Sequence, residues 1–289
     1  MRNTKILITQ WAALLVLVIS LWSCEDSSEI KTRNWELTWQ DEFNTITADS
    51  LPDATKWTYD LGGGGWGNAE WQTYTNSKNN AKLDVVDGIG CLKITARYDG
   101  TNYTSARLKT KGLFEQAYGR FEARIKMPYG PGMWPAFWML GNNSETSPWP
   151  QCGEIDIMEY KGQEPGFIHG TLHGPVLYSG KALTQTYGLQ NARFDTDYHL
   201  FAVEWTEGSV DFYVDQTLYK RISKSEVESK GGSWVYDHPF YMIITWRFVA
   251  ILWVFRLLVL LSHKRCMLIM CGFTKKQCDQ KILKWNTHQ

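Results

Sequence analysis

Three carboxylates fall within six residues of an otherwise apolar, β-branched stretch, Gly153-Glu154-Ile155-Asp156-Ile157-Met158-Glu159-Tyr160. Charge is costly to bury, so carboxylates in such a run need a reason to be there. In a strand the side chains alternate, which sends Glu154 and Asp156 to one face and Ile155 and Ile157 to the other. Glu159 has the wrong parity for the acidic face. One extra residue near Ile157-Met158, a β-bulge, restores it. Two glutamates facing one groove suit retaining glycoside hydrolysis, in which carboxyl groups roughly 5–5.5 Å apart act as nucleophile and as acid/base. Asp156 between them, by sharing a proton with a neighbour, keeps the two carboxyls in different protonation states. A solvated acidic strand face fits the same spacing. Trp134, Trp138 and Trp149 upstream and His173 downstream favour the groove.

From Trp35 the chain reads as short strands separated by turn residues, the pattern of a sandwich or barrel. The expected strands are Trp35–Gln40, Glu70–Thr75, Ala81–Val86, Cys91–Arg97, Ser105–Lys111, Tyr118–Met127, Trp134–Leu140, Glu154–Tyr160, Ile168–His173, His199–Thr206, Val210–Val214 and Phe240–Ile244. The glycine run from Gly62 to Gly67 is not followed by Lys-Ser/Thr or by a helix, so it reads as a flexible loop and not a phosphate cradle. Beyond it Asn68, Glu70 and Gln72 alternate with Ala69, Trp71 and Thr73. That polar side either meets sugar hydroxyls or is simply solvated.

Ahead of the domain, Arg2 and Lys5 precede an apolar run from Ile6 to Leu21, the arrangement of an export signal over residues 1–23. The run ends in Leu21-Trp22-Ser23-Cys24, which resembles a bacterial lipoprotein signal with Cys24 as the lipid-bearing residue. Residues 24–34 form a polar tether too poor in apolar side chains to fold. The expected location is therefore outside the cytoplasm, lipid-anchored to the bacterial outer membrane or cell surface, with periplasmic or free secretion as the alternative. Lys+Arg 30 balances Asp+Glu 30, so nothing in the charge suggests a nucleic-acid partner. Trp 15 and Tyr 14 are abundant, and such amphipathic rings serve both for stacking on sugars and for building a core.

The segments Trp39-Gln40-Asp41-Glu42-Phe43, Asn68 to Thr75, Tyr118 to Pro128, Trp134 to Leu140, Gly153 to Tyr160, His169 to Gly174 and His238 to Met242 occur in the order of one family. On them the chain from about Trp35 to Ile243 resembles family 16 of the glycoside hydrolases, in its laminarinase-like branch. The resemblance implies an all-β fold, a concanavalin-like jelly-roll of two antiparallel sheets whose concave face is a cleft for a β-glucan chain. It implies Glu154 as nucleophile, Glu159 as acid/base and Asp156 as the residue assisting the nucleophile. The spacing matches the bulged motif of laminarinases. Asn68, Glu70, Trp134, Trp138 and His173 fall on cleft positions of the family, although core packing explains Trp138 as well, and a structural role explains His173 as well. No cofactor takes part in catalysis, and a calcium ion on the convex side is at most structural. A monomer is expected.

After Ile243 the resemblance stops. The family's Asn-Leu-Ala-Val-Gly-Gly run and closing Val-Asp-Tyr-Val-Arg-Val-Tyr strand give way to the apolar stretch Ile243 to Leu261 and a basic tail with Cys266, Cys271 and Cys278. A transmembrane helix fits the length, but Arg247 and Arg256 within it are expensive. The genetic code offers a better reading. Taken from the third base of each codon, Trp246-Arg247 yields alanine when the arginine codon is of the C-G type, and Trp253-Val254 yields glycine. Thr245 to Phe255 is then compatible with Asn-Leu-Ala-Val, one residue of limited choice, then Gly-Asn-Phe-Val-Gly, and Cys266 to Thr274 with Met-Tyr-Val-Asp-Tyr-Val-Arg-Val-Tyr. The expectation is that residues 244–289 are an out-of-frame tail behind a domain of residues 35–243. The final strand is then missing, solubility is poor and activity is reduced. Cys91 and Cys152 are left as the domain's own cysteines, expected unpaired and buried.

Two function classes follow. One is a retaining endo-hydrolase of β-1,3 or mixed β-1,3/1,4 glucans, with agarose or carrageenan as other polymers. The other is a surface glycan-binding protein of the same fold. The complete set of three carboxylates favours the enzyme.

Overall fold

The computed structural model describes residues 35–44, 48–86, 88–249 and, as backbone, 264–271. In chain order the strands are β1 Thr58–Asp60, β2 Gln72–Tyr74, β3 Ala81–Val86, β4 Ile89–Tyr98, β5 Tyr103–Ser105, β6 Arg107–Lys109, β7 Gly119–Lys126 and β8 Met133–Gly141. They continue with β9 Glu154–Tyr160, β10 Phe167–His173, β11 Leu183–Gly188, β12 His199–Trp205, β13 Ser209–Val214, β14 Thr217–Ser223, β15 Phe240–Phe248 and β16 Lys264–Cys271. Among the described residues there is one short helix, α1 Lys224–Ser229, which starts at Ser223, whose hydroxyl accepts from the Glu226 amide as an N-cap.

The strands form two sheets. One runs β1-β6-β15-β8-β9-β10-β11, the other β14-β13-β12-β7-β16-β4-β5-β2 with β3 on β4. Pairing is antiparallel except between β2 and β5. The sheets enclose the main core by simple alternation. On β8, Phe137 and Met139 point inward; on β15, Phe240, Met242, Ile244, Trp246 and Phe248 do so; on β12, Phe201, Val203 and Trp205 complete the opposite wall. The odd partners on β8 and β15, namely Ala136, Trp138, Tyr241 and Ile243, make a small separate cluster on the other face of the seven-stranded sheet. That outer face carries the carboxylates.

The structure departs from the expected strands at several points. Residues 35–40 make no strand, because Trp39 turns into the core edge and packs on Trp57 and Phe114 at 5.5 and 5.4 Å between ring centroids. The expected strand Ser105–Lys111 is split at Ala106, so that its halves serve different sheets. Thr58–Asp60, Leu183–Gly188 and Thr217–Ser223 were hidden by polar residues on edge strands. β15 runs past the expected end at Ile244 as far as Phe248, held by the Phe248 amide donating to Gln72 Oε1 at 2.7 Å. The closing strand is also present as backbone: β16 lies between β4 and β7, pairing Lys264 with Arg97 and Leu268 with Lys126. The expected gap in that sheet is therefore filled by the chain's own tail. Cys91 and Cys152 are both buried thiols. The signal, Cys24 and the tether lie outside the described residues. Among the described residues no helix is long and apolar enough to cross a membrane.

Candidate active site

β9 is placed in the middle of its sheet, between β8 and β10. Its entry is tight. Gly153 has φ +74°, and a Cβ there would meet Phe240 Cζ at 2.9 Å, so the turn that launches Glu154 requires glycine. The expected bulge is present where the parity argument puts it. On β8, Trp138 faces Asp156 and Phe137 faces Met158, leaving Ile157 as the extra residue. Ile157 and Met158 both enter the main core with Ile155 and Tyr160. Burying each of these apolar side chains is worth about 1.5–3 kcal/mol, which outweighs the local loss of ladder regularity. Glu154, Asp156 and Glu159 consequently share the outer face.

Cross-strand register then assembles the site in rows. Glu159 lies between Ala136 and His169, Asp156 between Trp138 and Thr171, and Glu154 between Leu140 and His173. His173 Nε2 sits 3.1 Å from Asp156 Oδ2 and 3.9 Å from Glu154 Oε1. The His173 carbonyl accepts from the Tyr236 hydroxyl at 2.9 Å, which fixes the backbone there. Asp156 is 1% exposed, and neither of its oxygens receives a protein N–H or hydroxyl hydrogen bond. A buried polar atom left in that state is satisfied by a proton shared with the adjacent Glu154 carboxyl. Burial, with Glu159 nearby, pushes Asp156 well above the usual carboxylate range. Burial, with Asp156 nearby, pushes Glu154 up as well, opposed by His173 and Arg247. Both carboxyls are thus pushed toward the protonated form, and the nucleophile role of Glu154 requires the proton on Asp156, which leaves Glu154 the anion.

Glu159 is held differently. Trp134 Nε1 donates to its Oε1 at 3.0 Å, and the Arg247 guanidinium approaches the same oxygen to 3.8 Å. Trp134 and Arg247 are direct cross-strand partners on β8 and β15, with the guanidinium 4.2 Å from the ring centroid. Glu70 stands behind Arg247 at 4.0 Å. It is fully engaged: Asn68 Nδ2 and Gln72 Nε2 donate to its two oxygens at 3.2 and 2.6 Å, and the Tyr74 hydroxyl donates at 2.8 Å.

The structure therefore brings together Glu154, Asp156, Glu159, Trp134 and His173. Glu70 borders them as a buried carboxylate, and Asn68 reaches the site through Glu70, from a turn and not from a strand. Trp138 is nearly buried. Its indole N–H donates to Thr245 at 3.3 Å, and Arg107 covers it at 4.7 Å, so it supports the groove floor. Among the described residues, the grouping whose ligand atoms could converge on a metal is Glu154, Asp156 and His173.

A family model described as glycosyl hydrolases family 16 matches residues 68–249. The chain belongs to glycosyl hydrolase family 16. It is 40% identical over 256 residues to a beta-glucanase of Rhodothermus marinus, across 84% of this chain and 86% of that relative. It is 37% identical over 224 residues to a glucan endo-1,3-beta-glucosidase of Cryptopygus antarcticus, across 73% of this chain and 79% of the relative. Among solved structures, the laminarinase catalytic domain of Thermotoga maritima superimposes with a TM-score of 0.72 at 38% identity, covering 84% of this chain and all of that domain. The two-sheet jelly-roll is thus that of a family 16 protein.

Reading residues alone missed Arg247 and Tyr74 as parts of this site, while Gln72 reads with Asn68 and Glu70 as one polar side. Tyr74 and Gln72 share the parity of Glu70, so the alternation was a usable signal. Arg247 had none, because it lies where the family pattern ends.

Proposed function

We propose that this family 16 chain is a retaining endo-hydrolase of β-1,3-glucans. The observation that carries the reading is the bulged β9, which sets Glu154, Asp156 and Glu159 on one open face with two distinct environments. Glu159 protonates the leaving glycosidic oxygen. Glu154 attacks the anomeric carbon as a carboxylate, its proton held by Asp156, and Glu159 then removes a proton from the incoming water. The reaction draws on protein carboxyl groups alone and needs no catalytic cofactor. Mixed β-1,3/1,4 glucans are the nearest competing substrates. The test is reducing-sugar release from laminarin and from a mixed-linkage glucan, with Glu154→Gln alongside. A loss of about 10³-fold or more in kcat is expected on the laminarin reaction. Equal binding without release by parent and variant would refute the reading.

Further parts of the same proposal concern the ends of the chain. Cys24 carries a lipid, which fatty-acid labelling lost in Cys24→Ala would support and retained labelling would overturn. Residues from about Ile244 onward are translated out of frame, which sequencing of the DNA across that junction decides. The protein is a monomer, measured by light scattering on a chain lacking the signal. Calcium is at most structural, so a chelator leaves the rate unchanged.

A further inference from the structure

Arg247 occupies ground that the proposed reaction needs. It is a cation 6% exposed, in the last regular turn of strand β15 on the groove side of the sheet. Its guanidinium lies over the Trp134 ring at 4.2 Å and within 5.6 Å of the Trp138 ring centroid. It reaches the Glu159 oxygen that Trp134 also holds, and it faces Glu70. Its Nε donates to Thr245 at 3.4 Å, a long contact. None of these contacts is short or bidentate, so the side chain is lodged by stacking and by two carboxylates at 3.8 and 4.0 Å. An aromatic face in a groove lined by carboxylates is what a sugar ring stacks on, and a guanidinium competes for it with the same planar geometry.

Every group around Arg247 keeps a partner if it leaves. Glu70 retains Asn68, Gln72 and Tyr74; Glu159 retains Trp134; Trp138 retains Thr245 and Arg107. Removing Arg247 therefore orphans no hydrogen-bonding group, although Glu70 and Glu159 lose a counter-charge. In the alternative reading frame the codon spanning Trp246 and Arg247 encodes alanine when the arginine codon is of the C-G type, which would leave the Trp134 face clear.

We propose that Arg247 is an autoinhibitory side chain that fills the sugar-stacking ground between Trp134 and Glu159. The proposal rests on the hydrolase reading for the identity of the sugar, but its own test is binding. In the full chain carrying Glu154→Gln, Arg247→Ala is expected to tighten laminarihexaose binding by about tenfold in calorimetry. Methylguanidinium at millimolar concentration should weaken binding again in Arg247→Ala and leave the parent unchanged, because only the variant has the vacated place. Arg247→Gln, which keeps polar atoms on a shorter side chain without the cation, carries the same comparison if the alanine variant loses its cooperative melt. Unchanged or weaker binding in the folded variant, or no effect of methylguanidinium on it, overturns the proposal. Tighter binding with no sugar release from the variant that retains Glu154 would uphold the role of Arg247 and sink the hydrolase reading instead.

Discussion

Asp156 is the residue on which the chemistry and the stability of this protein conflict. It is nearly inaccessible, faces two glutamates and accepts no protein hydrogen bond, with His173 Nε2 3.1 Å from one oxygen as a charge contact. Its pKa lies above that of an unfolded aspartate, chiefly through burial. The folded state therefore holds this proton more tightly than the unfolded one, and the stability difference has a definite sign. Stability is fully present below the ordinary carboxylate pKa and declines as pH rises toward the raised folded value. Asp156→Asn removes that dependence by supplying a neutral group of the same shape. The melting temperature at pH 8 is expected to rise by about 2–4 °C while kcat falls by at least about tenfold, since Glu154 loses its proton-sharing partner. Thermal melts at pH 5 and pH 8 check it: the gain over the parent should be larger at pH 8. An equal gain at both would show that Asp156 is ionised throughout. Cys152, two residues before Glu154, is the counterexample of a quiet buried group. Burial, with Glu154 nearby, pushes its thiol up to about 11, leaving it neutral and unreactive.

At the scale of the element, the bulge in β9 converts an odd spacing into a common face. Ile157 is the residue left over between Asp156 opposite Trp138 and Met158 opposite Phe137. Deleting Ile157 gives Glu-Ile-Asp-Met-Glu-Tyr, which alternates regularly and still places all three carboxylates outward. The deletion is expected to cost about 2–4 kcal/mol by emptying a core position, yet to leave measurable hydrolysis. Inserting one alanine after Asp156 has the opposite character. With the bulge kept it turns Glu159 toward the core, and with the bulge lost it sets Glu159 a full pair of residues farther from Asp156 than the native register does, so activity should be abolished either way. Urea melts and laminarin hydrolysis on the two variants decide whether parity is what the bulge provides; an inactive deletion variant that still melts cooperatively would show that it is not. This part of the site was legible before the structure because it depends only on side-chain alternation and the cost of burying charge. The same logic placed β3 and β9 at their observed bounds. It failed where tertiary pairing outweighs pattern. Ser105–Lys111 looked continuous, but Ala106 is the point where the chain leaves one sheet for the other, and nothing local announces that crossing. Trp138 could not be divided between core and groove, since a tryptophan on an outer strand face does both. Here Thr245 and Arg107 claim it.

For the whole molecule the question is how the second sheet closes. Without β16, the set β14-β13-β12-β7 and the set β4-β5-β2 would each end in an unpaired edge, and the main core between them would lose its lid. Strand β16 pairs on both sides, with β4 from Lys264 to Ile269 and with β7 from Leu268 to Cys271. An argument from family pattern alone found no closing strand, because it sought particular residues and not a segment able to extend. The backbone asks less than the family does: β16 needs only free N–H and C=O groups in an eight-residue run, which Lys264–Cys271 supplies. Pairing is one matter and fit is another. A strand in the wrong frame brings the wrong side chains to a core shaped for others, and such mismatches each cost about 1–3 kcal/mol. Three chains separate the two contributions: the full chain, one ending at Val249, and one in which the reading frame is restored after Ile244. All are made without the signal. The chain ending at Val249 retains β15 and its tie to Gln72, so among the described elements the closing strand is the one removed. It is expected to elute as aggregate in size-exclusion chromatography through its two exposed edges. The full chain should remain largely monomeric with a low melting temperature, and the restored chain should melt well above it with higher laminarin activity. Coincident melts for the full and shortened chains would mean that β16 contributes no closure, and coincident melts for the full and restored chains would mean that the existing tail already fits the core.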